Sequence, residues 1–298
     1  MPIVDVATLP SEARERERAC GEALERGGVL LFRETPFELP ETDRELLLQQ
    51  RQTEAGYHKN IAYRPAADRV TGVAPGERED AENLRRVLRD YSRRVIAFAA
   101  GVLPRYAKGW RVDYASFRPQ EEAGRRLSTH SRNDLLHVDS FPTRPTRGDR
   151  IFRVFTNVNP VTPRVWRTGE DFEELAERFA RPSGLLDRSV RRSPVTLLRR
   201  AASAAGLPVR ARPPYDEFML AFHHFMKENE AYQESARAER MEFPPGSTWM
   251  VFTDMVAHSV LSGQFALEQT FLIARDSLWL AEKAPIAILE RLAGRALA

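Results

Sequence analysis

Apolar positions recur with a helical period through the first third of the chain and with a strand period after Trp110. Residues 11–26 are mostly charged and read as a helix, and the apolar run Val29-Leu30-Leu31-Phe32 reads as a short strand. Thr42 and Glu45 have the spacing of a capping box ahead of Leu46-Leu47-Leu48 and predict the start of a second helix. Asp80 is the expected cap of a long helix reaching about Tyr106. Its Leu84, Val87, Leu88, Tyr91, Val95, Phe98, Ala99 and Val102 recur at three and four, which predicts a core-facing stripe.

From Trp110 onward, WRVDYASFRP, LLHVDSF, RIFRVFTNVNP and PRVWRTG are short and β-rich, with proline, glycine or polar breaks between them. A helical interval covers about 171–235. Strands return as STWMVFTD, AHSVLS and FALEQTFLIAR, and a last helix covers 284–296. Two groups of strands divided by a helical insert, with helices in front, predict a mainly β fold with α elements: a double-stranded β-helix, or jelly roll. One domain, 1–298, is expected. Its parts are a helical N-terminal buttress (1–109), jelly-roll strands (110–170 and 238–276) and the helical insert (171–237). Separate α and β domains are the alternative.

Within LLHVDSF, His137 and Asp139 are two apart, so an extended backbone points both side chains the same way and turns Val138 to the other face. One imidazole and one carboxylate hold a transition metal poorly, and a third ligand is needed. His58 and His130 precede the motif, and His223 and His224 sit in the helical pattern FMLAFHHFMKENEAY, where packing and hydrogen bonding are their expected roles. His258 is favoured, because it follows the turn Pro244-Pro245-Gly246 and an apolar strand, where it can reach a first strand pair across a barrel. Two histidines and one carboxylate on one face of a metal are the arrangement of non-haem Fe(II) oxygenases, whose open positions take a keto acid and dioxygen. Zinc with the same ligands is an alternative.

Composition narrows the remaining choices. The chain is 42% hydrophobic, enough for a sizeable core, yet no run approaches the ~20 apolar residues of a membrane span. The N-terminus turns charged within a dozen residues and lacks a signal-peptide pattern. The single cysteine, Cys20, excludes an intrachain disulfide, is expected in the core, and agrees with a cytoplasmic location. Only Lys59, Lys108, Lys227 and Lys283 of the 45 basic residues are lysines, and the net charge of +3 does not call for a nucleic-acid partner. Arginine forks suit carboxylates and phosphates.

The block LLHVDSFPTRPTRGDRIFRVFTNVNP, with HKNIAYRP (58–65), SFRP (116–119) and GQFALEQTF (263–271), resembles the Kdo hydroxylase family over nearly the whole chain. Members are Fe(II)/2-oxoglutarate oxygenases of Gram-negative bacteria. They hydroxylate C3 of 3-deoxy-D-manno-oct-2-ulosonic acid (Kdo) in the lipopolysaccharide inner core, giving D-glycero-D-talo-oct-2-ulosonic acid. The resemblance implies Fe(II), 2-oxoglutarate and O2 as cofactor and co-substrates. It implies His137, Asp139 and His258 as metal ligands and a Kdo-bearing lipid A or related anionic glycolipid as partner; the alternatives are a 2-oxoglutarate oxygenase acting on another sugar or lipid, or a non-catalytic jelly-roll binding module.

Oxygenases of this class anchor 2-oxoglutarate with a cation on a late barrel strand. Here that slot holds Glu268-Gln269-Thr270, a departure, so Arg153 is the preferred anchor and Arg275 the next, with Asn157, Gln269 and Thr270 as further co-substrate contacts. A salt bridge from Arg153 to Glu268 is the structural alternative. Arg144, Arg147 and Arg150, after the His-x-Asp segment, are read as an anion clamp for the sugar carboxylate or phosphates, against the alternative of a solvated arginine-rich turn. Arg118 is a candidate substrate contact, and Lys59, Asn60 and Tyr63 a candidate lid, against a plain helix–strand connection. The arginines of 178–212, interspersed with Leu and Val, would suit peripheral contact with the anionic inner membrane, against the alternative of a solvated face.

Overall fold

The structure, a computed structural model, describes residues 3–50, 60–73, 78–190 and 212–298. Eleven strands are present among these residues: β1 (Ile3–Asp5), β2 (Val29–Phe32), β3 (Ile61–Arg64), β4 (Arg69–Thr71), β5 (Trp110–Arg118), β6 (Arg150–Asn157), β7 (Arg164–Asp171), β8 (Glu239–Phe243), β9 (Thr248–Phe252), β10 (Val256–Ser262) and β11 (Ala266–Ile273). Eight of them form one sheet in the order β1-β2-β9-β6-β11-β5-β3-β4, and β10-β7-β8 form a smaller sheet facing it. Apart from the parallel β1–β2 pair, every pairing is antiparallel. The result is the jelly roll.

Each face of the large sheet has its own core. On the outer face lies α3 (Arg78–Val102), whose Leu84, Val87, Leu88, Tyr91, Val95 and Ala99 are fully buried against Phe117, Phe152, Phe252 and Phe271. Helix α1 (Ala13–Glu25) also packs on β2 and β9 and buries Cys20 completely. The inner face and the small sheet enclose a second core that includes Phe155, Trp166, Phe243, Trp249, Val256 and Val260. Alternation along β6 and β11 therefore sorts residues cleanly. Phe152 and Val154 face α3, whereas Arg153 and Phe155 face inward.

Several expectations are corrected. The region 1–109 is not a purely helical buttress, because β1 to β4 all join the large sheet. Helix α2 (Glu41–Gln49) starts after Pro40 with no side-chain cap, so Thr42 already lies inside the helix and the capping box does not form. Helix α3 begins two residues before Asp80 and stops at Val102, where Pro104 starts a separate short helix, α4 (Pro104–Ala107). LLHVDSF is not a full strand; it is extended chain joined to β10 by the bridge His137–His258. Strand β8 lies inside the expected strand region 238–276 but ahead of the first segment named there, STWMVFTD.

The insert contributes α5 (Phe172–Phe179), α6 (Leu185–Val190), α7 (Pro214–Glu228) and α8 (Glu230–Ser235), and α9 (Pro285–Ala293) closes the chain. Of the insert's arginines, Arg191, Arg192, Arg199, Arg200 and Arg210 lie outside the described residues. Arg178 pairs with Glu170, Arg181 and Arg188 bond main-chain carbonyls, and Arg212 bonds the carbonyls of Phe141 and Pro142. Among the described residues no helix is long and apolar enough to cross a membrane.

Candidate metal centre

Main-chain bonds fix the His-x-Asp segment. The amides of His137 and His258 each donate to the other's carbonyl, at 3.1 and 2.9 Å, and the Asp139 amide donates to the Thr253 carbonyl at 2.8 Å. The Thr253–Met255 turn is held by Asp254, which accepts from Arg150 Nε and the Ile151 amide. Val138 points away into the apolar core, fully buried, as alternation requires.

Three side chains consequently converge. His137 Nε2 is 3.6 Å from Asp139 Oδ1, and His258 Nε2 is 3.9 Å from Asp139 Oδ2. The two imidazoles are 5% exposed, with ring centroids 4.8 Å apart. Each Nδ1 is engaged by a carbonyl, His137 with Leu135 O at 2.7 Å and His258 with Val256 O at 3.0 Å. That fixes the tautomer with the proton on Nδ1 and leaves both Nε2 lone pairs aimed at the carboxylate. Asp139 Oδ2 is buried with no hydrogen-bond partner. Arg153 Nη2 lies 3.1 Å from it, outside hydrogen-bond alignment. A carboxylate met at its two oxygens by two nitrogen lone pairs, with one buried oxygen lacking a hydrogen bond, is a fit for a divalent cation.

Burial keeps the histidines neutral: it pulls His137 down to about 4 and lowers His258 as well. Burial alone would raise Asp139, but Arg153 and the neighbouring imidazoles outweigh it and hold the carboxyl well below its usual range. All three groups are thus in metal-binding form at neutral pH.

A fourth donor stands beside them. His223, on α7, has its ring 4.8 Å from that of His137, and donor atoms of His137, Asp139 and His223 all lie within 4.8 Å of one another. Its Nδ1 is 2.8 Å from Val138 O, so it clamps the residue between the two ligand candidates. Sequence pattern placed His223 in a packed helix, which is where it lies, but gave no sign that its ring meets the site. His224 instead stacks on His130 at 3.9 Å. His58 lies outside the described residues.

Next to the triad, the inner face carries the buried Arg164 and the partly buried Arg118 and Arg153 against three carboxylates. Arg153 reaches Glu268 at 2.7 Å as well as Asp139, and Arg118 reaches Glu268 at 2.6 Å and Glu122 at 3.8 Å. Arg164, only 1% exposed, is 3.4 Å from Glu122 and donates to the Gly263 carbonyl at 3.0 Å. Burial, then the nearby Arg118, lowers Arg164 to about 10. Arg164, Trp166 and Thr168 line one inner row of β7, and each has a buried polar atom without a partner: Nε, Nε1 and Oγ1. Trp166 also stacks on His258 with centroids 5.3 Å apart. A row of unsatisfied donors beside a metal site is a cradle for a polar ligand. Arg164 and Trp166 were overlooked in sequence, although their i, i+2 spacing in PRVWRTG carried the signal.

The other candidates divide. Thr270 faces the site and donates to Glu268 Oε1 at 3.1 Å, and Arg144 sits at the mouth, 3.0 Å from Asp113. Gln269 has the opposite parity; it meets α3, accepting from Ser92 Oγ at 2.7 Å. Asn157 shares the inward parity of Arg153, but its amide bonds the Thr162 and Phe243 carbonyls, as a strand-end turn residue does. Arg275 lies past β11, half-exposed, paired with Glu290. Arg150 is fully buried on Asp254 and orders the Thr253–Met255 turn. Arg147 is exposed, and its amide donates to Asp216. Tyr63 packs in the outer core and bonds Asp68 at 2.9 Å, so it forms no lid. Asn60 is half-buried at the start of β3, and Lys59 lies outside the described residues.

Fold and site together define the class: a jelly-roll protein with a two-histidine, one-carboxylate centre. A family profile described as 3-deoxy-D-manno-oct-2-ulosonic acid (Kdo) hydroxylase matches residues 8–296. Crystal structures of the Kdo hydroxylase KdoO, described as a non-heme Fe(II) alphaketoglutarate-dependent dioxygenase, are similar throughout. The complex with alphaketoglutarate and Fe(III) is 34% identical, with a TM-score of 0.84 over 100% of this chain and 98% of that one. The cobalt(II) complex is 35% identical, with a TM-score of 0.85 over 100% and 97%. No curated protein sequence matches significantly. The chain belongs to the Kdo hydroxylase family.

Proposed function

We propose that this chain hydroxylates C3 of Kdo in the lipopolysaccharide inner core, on a Kdo-bearing lipid A precursor. It would consume 2-oxoglutarate and O2 at Fe(II) and yield D-glycero-D-talo-oct-2-ulosonic acid, succinate and CO2. The whole chain acts as one oxygenase domain. The observation that carries the chemistry is the Asp139 carboxylate, whose Oδ1 is met by His137 Nε2 and whose Oδ2, buried without a hydrogen bond, is met by His258 Nε2.

We assign the metal to His137, Asp139 and His258 rather than to His137, Asp139 and His223. His137 and His258 are cross-strand neighbours on one bridge, so backbone bonds preset their approach, whereas His223 comes from a separate helix. When bound, the ferrous ion would supply activation of dioxygen coupled to oxidative decarboxylation of 2-oxoglutarate, which suits a carbon with no acidic proton. Arg164, with Trp166 and Thr168, would receive the keto acid, and Arg153 would orient it from β6. Glu268 restrains Arg118 and Arg153 in the meantime.

The charges support this reading. Arg118, Arg153 and Arg164 stand against Glu122, Asp139 and Glu268, and burial keeps the histidines neutral. A divalent cation and a dicarboxylate entering together add no net charge, whereas either alone adds one. We further place the enzyme at the cytoplasmic surface of the inner membrane, where a lipid-linked sugar is met. The test is incubation with Kdo-bearing lipid A precursor under heavy-oxygen-labelled dioxygen. A sugar one labelled oxygen heavier supports the proposal; succinate formed without oxygenated sugar refutes the substrate.

A further inference from the structure

The inner face of the large sheet carries a second cationic feature, away from the metal. Strand β3 turns Ile61 and Tyr63 to the outer core, so Ala62 and Arg64 face inward. Tyr63 is opposite Ala115 on β5, which puts Arg64 beside Tyr114, and the Arg64 guanidinium lies 5.0 Å from the centre of the Tyr114 ring. Arg144, from the loop after the His-x-Asp segment, lies over the same ring at 3.8 Å. Two guanidiniums thus share one aromatic platform.

Their counter-charges differ. Arg144 is paired with Asp113 at 3.0 Å. Arg118, Arg153 and Arg164 all have carboxylates within 4.0 Å, but among the described residues Arg64 has none. Arg64 Nε is buried without a hydrogen-bond partner. Burying a guanidinium donor unbonded is unfavourable unless a ligand completes it.

Register ties this feature to the active site. Ala115 is opposite Gln269, a bulge interrupts the β5–β11 pairing between Gln269 and Phe271, and Thr270 is opposite Arg153, so Arg64, Tyr114, Thr270 and Arg153 follow one another across β3, β5, β11 and β6 as an irregular row. Three strand spacings, about 14 Å, separate the ends of that row. Long side chains reaching in from both ends narrow the gap to the scale of a sugar. Arg144 also lines a groove of about 590 Å³, together with Arg111, Asp113 and Arg212.

We propose that Arg64 and Arg144, seated on Tyr114, bind an anionic oxygen group of the substrate, a carboxylate or a phosphate, and so fix which carbon faces the metal. This rests on the function proposed above. The test compares wild type, Arg64→Gln and Arg64→Lys in steady state and in calorimetric binding. Three substrates are used: the Kdo-bearing lipid A precursor, its dephosphorylated form, and its sugar-carboxamide form.

Arg64→Gln should raise KM for the intact glycolipid about 10- to 100-fold, the scale of a charge-assisted bond, and Arg64→Lys should recover part of the loss. Removing the recognised anion should weaken wild type by the same factor and abolish the difference between wild type and variant. Loss of that difference on the dephosphorylated form identifies a phosphate; loss of it on the carboxamide identifies a carboxylate. An unchanged KM in Arg64→Gln, or an equal defect on all three substrates, overturns the proposal. Binding of 2-oxoglutarate and the melting temperature report separately whether the variant is folded. A wild-type protein that oxidises none of the three substrates contradicts the proposed function instead.

Discussion

Replacing Arg164 with Gln separates a co-substrate anchor from a structural ion pair. Arg164 is 1% exposed, and only one of its contacts is with a carboxylate, Glu122 at 3.4 Å. Glu122 keeps Arg118 at 3.8 Å and Arg125 at 3.5 Å, so the substitution does not orphan a buried carboxylate. Burial already disfavours the charged guanidinium, lowering its pKa to about 10, so removing it relieves a desolvation cost as well as an attraction. The melting temperature should therefore shift by only a few degrees, corresponding to about 1 kcal/mol. Co-substrate binding should suffer far more. A charge-assisted hydrogen bond to a carboxylate contributes about 1.5–3 kcal/mol, which is about 10- to 150-fold in KM for 2-oxoglutarate. The assay is succinate formation against 2-oxoglutarate at saturating glycolipid. A KM within threefold of wild type would refute the assignment of Arg164.

Other substitutions probe neighbouring parts of the account. His258→Ala should lose stoichiometric Fe(II) binding by calorimetry, whereas His223→Ala should retain it; the reverse result transfers the third ligand to α7. Metal affinity should fall less between pH 7.5 and 6 than the about fourfold that each histidine of ordinary pKa would cost, because burial holds His137 near 4 and lowers His258. In the metal-free protein the unfolded chain takes up that proton near 6.5 and the folded chain only near 4. His137 therefore reduces stability by about 3 kcal/mol as pH falls through that window, and denaturant melts at pH 7 and 4.5 should show most of it. Gly263 has φ +117°, and a Cβ there would sit 2.8 Å from the Cα of Arg164. Gly263→Ala should cost about 1–3 kcal/mol in stability and raise KM for 2-oxoglutarate, both read from the same preparation.

The residues that meet in this centre were legible in the sequence because the geometry there is local. Two positions of spacing two share a face of any extended chain, and a histidine after a turn and an apolar strand can pair across to them. The long α3 and most central strands were legible for the same reason, since one period held over many residues. What was missed depends on contacts between distant segments. His223 meets His137 only because α7 folds over the bridge, and Arg164 faces the cavity only because β7 pairs with β10. Strands β3 and β4 are too short for a period to show. The misplacement of Gln269 was avoidable: Glu268 and Thr270 face inward, so the residue between them must face α3. Arg150 and Arg275 carried the right charge for an anion site, but charge alone does not reveal the carboxylates that Asp254 and Glu290 supply.

The most direct test is anaerobic titration of the protein with Fe(II) and then 2-oxoglutarate, followed by visible absorption. A ferrous ion held by His137, Asp139 and His258 with adjacent open positions predicts a weak charge-transfer band at one equivalent of each. The band should be absent in His137→Ala and Asp139→Asn. No band in the wild type, or an undiminished band in either variant, would contradict the account.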